Sequence, residues 1–306
     1  MEKFMQIKKN HHYVWAYYLK SWADENKELF YISKKGKISK DNIKGLAKDT
    51  SFYKIHSLNN EDINFIKQLS AISPKFLRDI HNSQLKFFQK LLFIENFPIN
   101  PKYSKEYSLL VEAIKSNSLE NTYTIVERLA LEVISELVQG NSMILKDKKC
   151  LINFLYYIGH QITRTKAFKD KCLAALKDDG RLFNLWEKNW WFVSYMLGIN
   201  LGHSLYQNNT IDTHIFIENN TNIPFITSDS PAVNIHSSLE KLKENESPQF
   251  MDLYFPLSPK YAYMICDSND YENLKDFVSE KDVVSLNERI YTKSHKTVFS
   301  NPRRRL

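Results

Sequence analysis

Glycine and proline are scarce, with 7 and 9 residues in a chain of 306. Architectures that depend on glycine turns, such as a dinucleotide-binding crossover or a repetitive β-structure, are disfavoured by that shortage. Cysteine is scarcer still. Cys150, Cys172 and Cys266 are widely spaced, odd in number and form no CxxC pair, which argues against a disulfide framework and a cysteine-rich zinc site. No stretch approaches the roughly 20 apolar residues of a spanning helix. The densest apolar run, Trp190 to Leu201, is interrupted by Ser194 and Asn200 and reads as a buried helix. The opening MEKFMQIKKNHHYVW lacks the uninterrupted apolar core of a signal peptide, so a cytoplasmic chain with no membrane partner is expected. No GxSxG elbow, Walker loop, GxGxxG, HExxH or kinase signature occurs, and those reaction classes lose most of their weight.

What is present is a well-stocked interior. Hydrophobic residues make up 43% of the chain and aromatic residues 13%, enough to exclude global disorder. The net charge of +7 favours anionic partners, RNA or DNA among them, although a lysine-rich composition also simply solubilises a protein. Arg303, Arg304 and Arg305 form a short basic tail that reads as a frayed end.

The pattern divides one domain, residues 1–306, into three regions. Over 1–58 a short helix spans 13–22, LFYISKKGKI forms a hairpin turning at Lys35-Gly36, and LAKDTSFYKI adds a third strand. Over 59–206 helical periodicity predicts helices at 60–69, 73–94, 103–116, 119–139, 147–169, 170–178 and 185–206. Asn60 is expected to cap the first of them, and Gly140 stands just past the fourth. Over 207–306 the chain turns β-rich. THIFIENNTNIPFITSD reads as a hairpin about Asn219–Asn222, and MDLYFPLSPKYAYMICD as another turning at Ser258-Pro259. A short helix near 270–278 and a last strand from Arg289 to Thr292 follow. The fold class is α+β: a mainly helical central array, an N-terminal β-hairpin, and C-terminal antiparallel strands that are candidates for sharing its sheet.

Four segments carry polar residues where such residues are costly. On the helix from 119 to 139, Val126, Leu129, Ala130, Val133, Ile134, Leu137 and Val138 form one apolar arc, and Glu127 falls inside it. Either Glu127 has a buried partner or it is an edge carboxylate that reaches water near the first turn. On the next helix Leu151, Phe154, Leu155, Ile158 and Ile162 make the apolar stripe, while Asn153, Tyr157, His160, Gln161 and Arg164 gather opposite, none of them acidic. That face is either an ordinary wet surface or a site in which Arg164 offers a fork of donors to a carboxylate or phosphate. His11 and His12 point about 100° apart if helical and so do not chelate one metal easily; one faces a site while the other caps or is exposed. In FITSDSPAV, Asp229 after a strand is either a carboxylate presented to a cleft, with Ser228 beside it, or the centre of an Asx-turn.

Taken in order, NHHYVWAYYLKSWA, SFYKI, the Glu127 helix, HQITRTKAF, FITSDSPAV and YFPLSP resemble the domain of unknown function 4238 family, a bacterial group that opens on a His-Tyr-Val-Pro-type motif. Trp15 stands where that family has proline and Trp22 where it has phenylalanine. The resemblance spans most of the chain. It implies no settled activity and points to His12 with Tyr13, Glu127, Gln161 with Arg164, and Asp229 with Pro231.

Together these residues lead to an expected enzyme acting on nucleic acid, a nuclease or nuclease-like toxin of a phage-defence type whose partner protein would come from the same defence operon. His12 would serve as general acid/base, Glu127 and Asp229 as base or as ligands of magnesium or manganese, and Arg164 as a phosphate clamp. His11, Tyr13, His160, Gln161 and Ser228 would contact substrate. The alternative is a non-catalytic sensor or binding module in which the same side chains form a buried structural network. A small-molecule hydrolase or transferase is a third class, without a substrate signature.

Overall fold

The computed structural model describes residues 6–241, 246 and 248–301; Arg303 to Arg305 lie outside these. In chain order the elements are β1 (Asn10–His12), α1 (Ala16–Leu19) continuing into a 3-10 turn at Lys20–Trp22, β2 (Glu28–Ser33), β3 (Ile38–Asn42), β4 (Lys48–Thr50), α2 (Asn60–Ala71), α3 (Lys75–Leu92), α4 (Ser104–Leu137), α5 (Lys148–Thr163), α6 (Lys166–Ala174), α7 (Gly180–Gln207), β5 (Thr213–Glu218), β6 (Thr227–Ser228), β7 (Val233–Asn234), β8 (Asp252–Pro256), β9 (Tyr261–Cys266), α8 (Glu280–Lys293) and β10 (Thr297–Ser300). The chain is therefore α+β, as its sequence pattern indicates. Among the described residues no helix is long and apolar enough to cross a membrane.

Among the described residues every strand pairing is antiparallel. The N-terminal hairpin β2–β3 does share a sheet with the C-terminus, in the order β3-β2-β10-β6, while β5-β9-β8-β7 form a second sheet and β1-β4 a two-stranded ribbon. The hairpin turns at Gly36 with φ +75°, a conformation glycine adopts without penalty. The β8–β9 hairpin turns where Ser258 Oγ accepts from the backbone of Lys260 and Tyr261.

Five expectations are corrected. Asn59, not Asn60, caps α2: its side chain accepts from Asp62 N, and the Asp62 carboxylate accepts in turn from Asn59 N. The helices at 103–116 and 119–139 are one helix, α4. Ser116, Asn117 and Ser118 look like capping residues, but Ser118 Oγ donates to the carbonyl of Ile114. Asn117 instead holds the N-terminal segment, accepting from Lys8 N at 2.8 Å and donating to Gln6 O at 2.9 Å. The 147–169 helix breaks at Arg164, where Thr165 caps α6. The two runs flanking Asn219–Asn222 do not form a hairpin. Asn219 does close a local turn with Thr221 and Ile223, but β5 pairs with β9 and β6 with β10, in different sheets. The segment Arg289–Thr292 is helical: Ser279 and Asp282 make a capping box, and Val283, Leu286 and Ile290 form the buried stripe of α8, leaving the strand to 297–300. The third N-terminal strand exists as β4, although it pairs with β1 and not with the hairpin.

Helices α5 and α7 touch backbone to backbone. A Cβ on Gly159 would lie 2.5 Å from the carbonyl oxygen of Gly198, and one on Gly202 would lie 2.7 Å from Tyr156 Cα. One core cluster draws Val14, Tyr18 and Trp22 together with Ala130, Phe154, Phe255 and Phe299. Polar ends of its aromatics reach across regions: Trp22 Nε1 donates to Phe225 O at 2.9 Å, and the Tyr18 hydroxyl to Pro256 O at 2.6 Å.

Candidate functional site

The arc position of Glu127 places it on the face of α4 that meets the end of α5. There Arg164 Nη1 donates to Glu127 Oε1 at 2.7 Å, with the two side chains 2% and 13% exposed. Arg164 Nη2 donates to Gln161 Oε1 at 2.9 Å, and Gln161 Nε2 donates in turn to the carbonyl of Tyr13 at 2.8 Å. The guanidinium lies over the Tyr123 ring at 5.3 Å. Burial pushes the Glu127 carboxyl above its ordinary value and the charge on Arg164 pulls it partly back; burial works against the charged guanidinium, and Glu127 together with Tyr53 and Tyr157 more than offsets it. Glu127 is thus a partnered buried carboxylate, and four of the five polar residues on α5, namely Tyr157, His160, Gln161 and Arg164, are buried rather than wet.

One residue of this cluster escapes the sequence pattern. Glu120 lies one heptad before Glu127 and three residues before Tyr123, hence on the same face of α4. Burial lifts its carboxyl to about 7, the nearby Arg164 charge and the His12 backbone N–H pull it down, Glu127 pushes it up, and its Oε2 has no partner among the described residues. That spacing is the signal that could have found it.

The two histidines divide their tasks. His11 is buried, stacked on Tyr53 at 5.7 Å, with Nδ1 accepting from Tyr53 N at 2.7 Å and Nε2 bonded to Lys8 O at 2.9 Å. An acceptor at one ring nitrogen and a carbonyl at the other fit a neutral imidazole, and burial lowers its pKa. His12 Nε2 reaches the Lys44 carbonyl at 3.3 Å, and burial together with the charges of Lys48 and Arg164 lowers it as well. The Tyr53 hydroxyl closes the circle by donating to Arg164 O at 3.0 Å.

Asp229 belongs to a different circle. It is 2% exposed, and its oxygens accept the backbone N–H groups of His295 (2.8 Å), Lys296 (2.7 Å) and Thr297 (3.0 Å). Burial raises its pKa and those three amides lower it. Ser228 is closed into a turn with Ser230, donating to its carbonyl and accepting from its N–H. The structure therefore joins Glu127, Arg164, Gln161 and the Tyr13 backbone directly, sets His12 beside them, and gives Asp229 and Ser228 partners of their own. As magnesium or manganese ligands Glu127 and Asp229 do not form one donor set, and among the described residues no group of three or more His, Cys, Asp or Glu is arranged to hold a metal ion.

In front of both circles lies a cleft of about 390 Å3. Its walls come from β4 and the turn after it, from the first turns of α6, from α7, and from the loop that Asp229 fixes ahead of β10. Five lysines line it, Lys54, Lys166, Lys169, Lys188 and Lys296, against three acids, Asp49, Asp170 and Glu187. Lys54 pairs with Glu112 at 2.8 Å, Lys188 with Asp62 at 2.6 Å and Lys166 with Asp49, whereas Lys169 and Lys296 have no ion pair among the described residues. His56 in the same wall is pushed down by desolvation and by Lys115, Lys54, Lys188 and Lys169. Trp190 and Trp191 also border the cleft, and their buried indole N–H groups have no acceptor among the described residues. These residues come from segments far apart in sequence and follow no motif, so only net charge pointed toward them.

No curated protein and no solved structure matches this chain. The family model described as a protein of unknown function (DUF4238) matches residues 10–189 and 201–304. That match takes in the His12 segment, the Glu127 helix, Arg164 and the Asp229 turn, and the chain belongs to the DUF4238 family.

Proposed function

We propose that this protein binds nucleic acid through phosphate contacts in the lysine-lined cleft, and that the Glu127–Arg164–Gln161 network and Asp229 are the scaffold that shapes the cleft. The single observation that carries the reading is that Lys169 and Lys296 line the cleft free of ion pairs among the described residues. Unpaired cations in a concave wall attract phosphate and release its counterions. The aromatic faces of Trp190 and Trp191 are buried, which disfavours base stacking and favours backbone contact. The scaffold role follows from connectivity: Arg164 holds Tyr53 behind the β4 turn, Thr165 caps the helix bearing Lys166 and Lys169, and Asp229 holds His295 and Lys296.

The test is fluorescence anisotropy of a labelled single-stranded RNA of mixed sequence across a salt series. Wild type should bind with a falling affinity as salt rises. Lys169→Glu with Lys296→Glu should weaken binding tenfold or more and flatten the log–log salt slope by about 1.4, at roughly 0.7 per contact for single strands. Equal binding by the variant, or none by wild type at low salt, rejects the proposal.

A second reading, phosphodiester hydrolysis, is favoured by one observation: the Glu120 carboxyl, near 7, lies in the range of a general acid–base, and its buried Oε2 has no partner among the described residues. Incubation with RNA and DNA, with and without magnesium or manganese, should then show cleavage that Glu120→Gln removes without unfolding the chain. Intact substrates under every condition reject it.

A further inference from the structure

Two walls of the lysine cleft are joined by a single side-chain bridge. On one wall α6 presents Lys166, Lys169 and Asp170, which stand three and four residues apart and so share a face. On the other, the loop ahead of β10 presents His295 and Lys296, whose backbone N–H groups are held by Asp229. His295 Nε2 lies 2.9 Å from Asp170 Oδ2. Among the described residues no other hydrogen bond or ion pair connects α6 to this loop.

The bridge is lopsided. The His295 side chain is 21% exposed and that of Asp170 is 62% exposed. An ion pair so open to water is weak and readily exchanged. Asp170 has no second partner among the described residues, whereas Asp49, the other acid at this end of the cleft, holds both Lys166 and the Thr50 N–H. His295 Nδ1 is buried, so Nε2 is the ring nitrogen left to the cleft. Beside the bridge stand Lys169, next to Asp170 in the chain, and Lys296, next to His295, neither in an ion pair among the described residues. One loosely held carboxylate thus sits among an imidazole and two unpaired ammonium groups.

We infer that Asp170 holds the place of a phosphate group: a phosphate oxygen of the bound strand takes over His295 Nε2 from the carboxylate, and Lys169 and Lys296 complete a three-point site. The inference rests on the nucleic-acid reading and adds to it the residues that grip one phosphate. Carboxylate and phosphate oxygens are both acceptors, so the exchange keeps Nε2 paired. The displaced carboxylate returns to water at small cost, because most of it is already there. The phosphate gains two ammonium contacts that a carboxylate on α6 leaves unused. Until then Asp170 keeps the imidazole turned toward the cleft.

The experiment is a double-mutant cycle on affinity, using full-length protein and the labelled mixed-sequence single-stranded RNA at low salt. Asp170→Ala should tighten binding about two- to fivefold, the scale of an exposed ion pair. His295→Phe should weaken it about fivefold, the scale of one hydrogen bond. In the His295→Phe background Asp170→Ala should lose at least half of its effect, because no imidazole is left to release. Asp49→Ala also removes a negative charge from the cleft, and it should act equally in both backgrounds. In wild type, the His295 Nε2 signal in long-range 1H–15N NMR should shift on adding RNA, a readout that needs no variant to fold. The inference is overturned if Asp170→Ala does not tighten binding, if its effect is the same with and without His295, or if the Nε2 signal stays put while RNA binds. In each of those cases wild type still binds RNA and the nucleic-acid reading stands; no binding by wild type overturns both.

Discussion

Arg164 and Glu127, 37 residues apart in sequence, meet at 2.7 Å and hold the end of α5 against the middle of α4. The pair is not isolated. The Arg164 side chain reaches Gln161, which holds the Tyr13 carbonyl, and its main-chain carbonyl accepts the Tyr53 hydroxyl. Through Tyr53 the arrangement extends to His11, whose Nδ1 accepts the Tyr53 N–H. A guanidinium that has exchanged water for this many fixed partners acts as a joint between two helices and the β1–β4 ribbon.

Removing either half of the pair leaves a buried charge without its counter-ion, at a cost of roughly 3–5 kcal/mol. Arg164→Met and Glu127→Leu should each lower the denaturant midpoint strongly. The double variant Arg164→Met with Glu127→Leu should recover much of the loss, giving a large coupling energy in a double-mutant cycle. Urea titration followed by circular dichroism reads all four corners. A midpoint unchanged in Arg164→Met, with RNA binding lost, would instead place the guanidinium on the ligand.

Glu120 gives a pH signature. Its folded carboxyl is raised to about 7 from an ordinary 4.5, so between those values the folded state binds more protons than the unfolded chain. Stability from this group is therefore present below about pH 4.5 and is lost as pH rises through 7, by up to about 3 kcal/mol at about 1.4 per pH unit. Glu127 and Asp229, also raised, act in the same direction, whereas His160, lowered to about 3, acts in the opposite one, since the unfolded chain takes up its proton first as pH falls. The difference between wild type and Glu120→Gln isolates Glu120. The variant should gain relative stability from pH 5 to about 7 and level off above it, and parallel curves would show that the carboxyl titrates normally.

Periodicity was enough to put Glu127 inside an apolar arc and to group Gln161 with Arg164, because helix geometry converts spacing into direction. It could not say whether the carboxylate met water or a partner, since that depends on where a second helix packs. The same limit explains α4. Ser116, Asn117 and Ser118 carry capping chemistry, yet the surroundings that decide their use include Gln6 and Lys8, more than a hundred residues away. Asp229 reads as a turn residue by local rules, and its three amide partners lie 66 to 68 residues later. The cleft was least legible of all. Lys54, Lys166, Lys188 and Lys296 are unremarkable surface residues until four segments bring them to one wall.

Backbone contact between α5 and α7 makes Gly159 a sensitive position. A methyl group there would lie 2.5 Å from Gly198 O and 2.6 Å from Gly202 N, both main-chain atoms that cannot swing aside. Gly159→Ala should therefore force the helices apart despite alanine's better helix propensity, and destabilise by about 1–3 kcal/mol or more as overpacking does. Gly180, whose Cβ direction is open, is the control: Gly180→Ala should be neutral or stabilising. If thermal melts show Gly159→Ala at or above wild type, the close packing of these helices is wrong.

Asp229 separates a scaffold role from a chemical one. Its two oxygens accept three backbone N–H groups from the loop that delivers His295 and Lys296 to the cleft, and its own N–H donates to Thr297 O at 3.0 Å. Asp229→Ala leaves those amides without acceptors in a site from which water is largely excluded, at about 1–3 kcal/mol for an unsatisfied group. Asp229→Asn retains one acceptor oxygen but turns the other into a donor that faces N–H groups, so it should rescue only part of the loss. Under the scaffold reading, stability and RNA affinity fall together in the order wild type, Asn, Ala, and hydrogen exchange rises at residues 295–297 in the same order. A chemical role makes a different demand: Asp229→Asn would keep its fold and its RNA affinity while losing turnover. Melting temperature, anisotropy and exchange on the two variants decide between them, because a carboxylate that serves as a loop anchor cannot be neutralised without loosening the loop it holds.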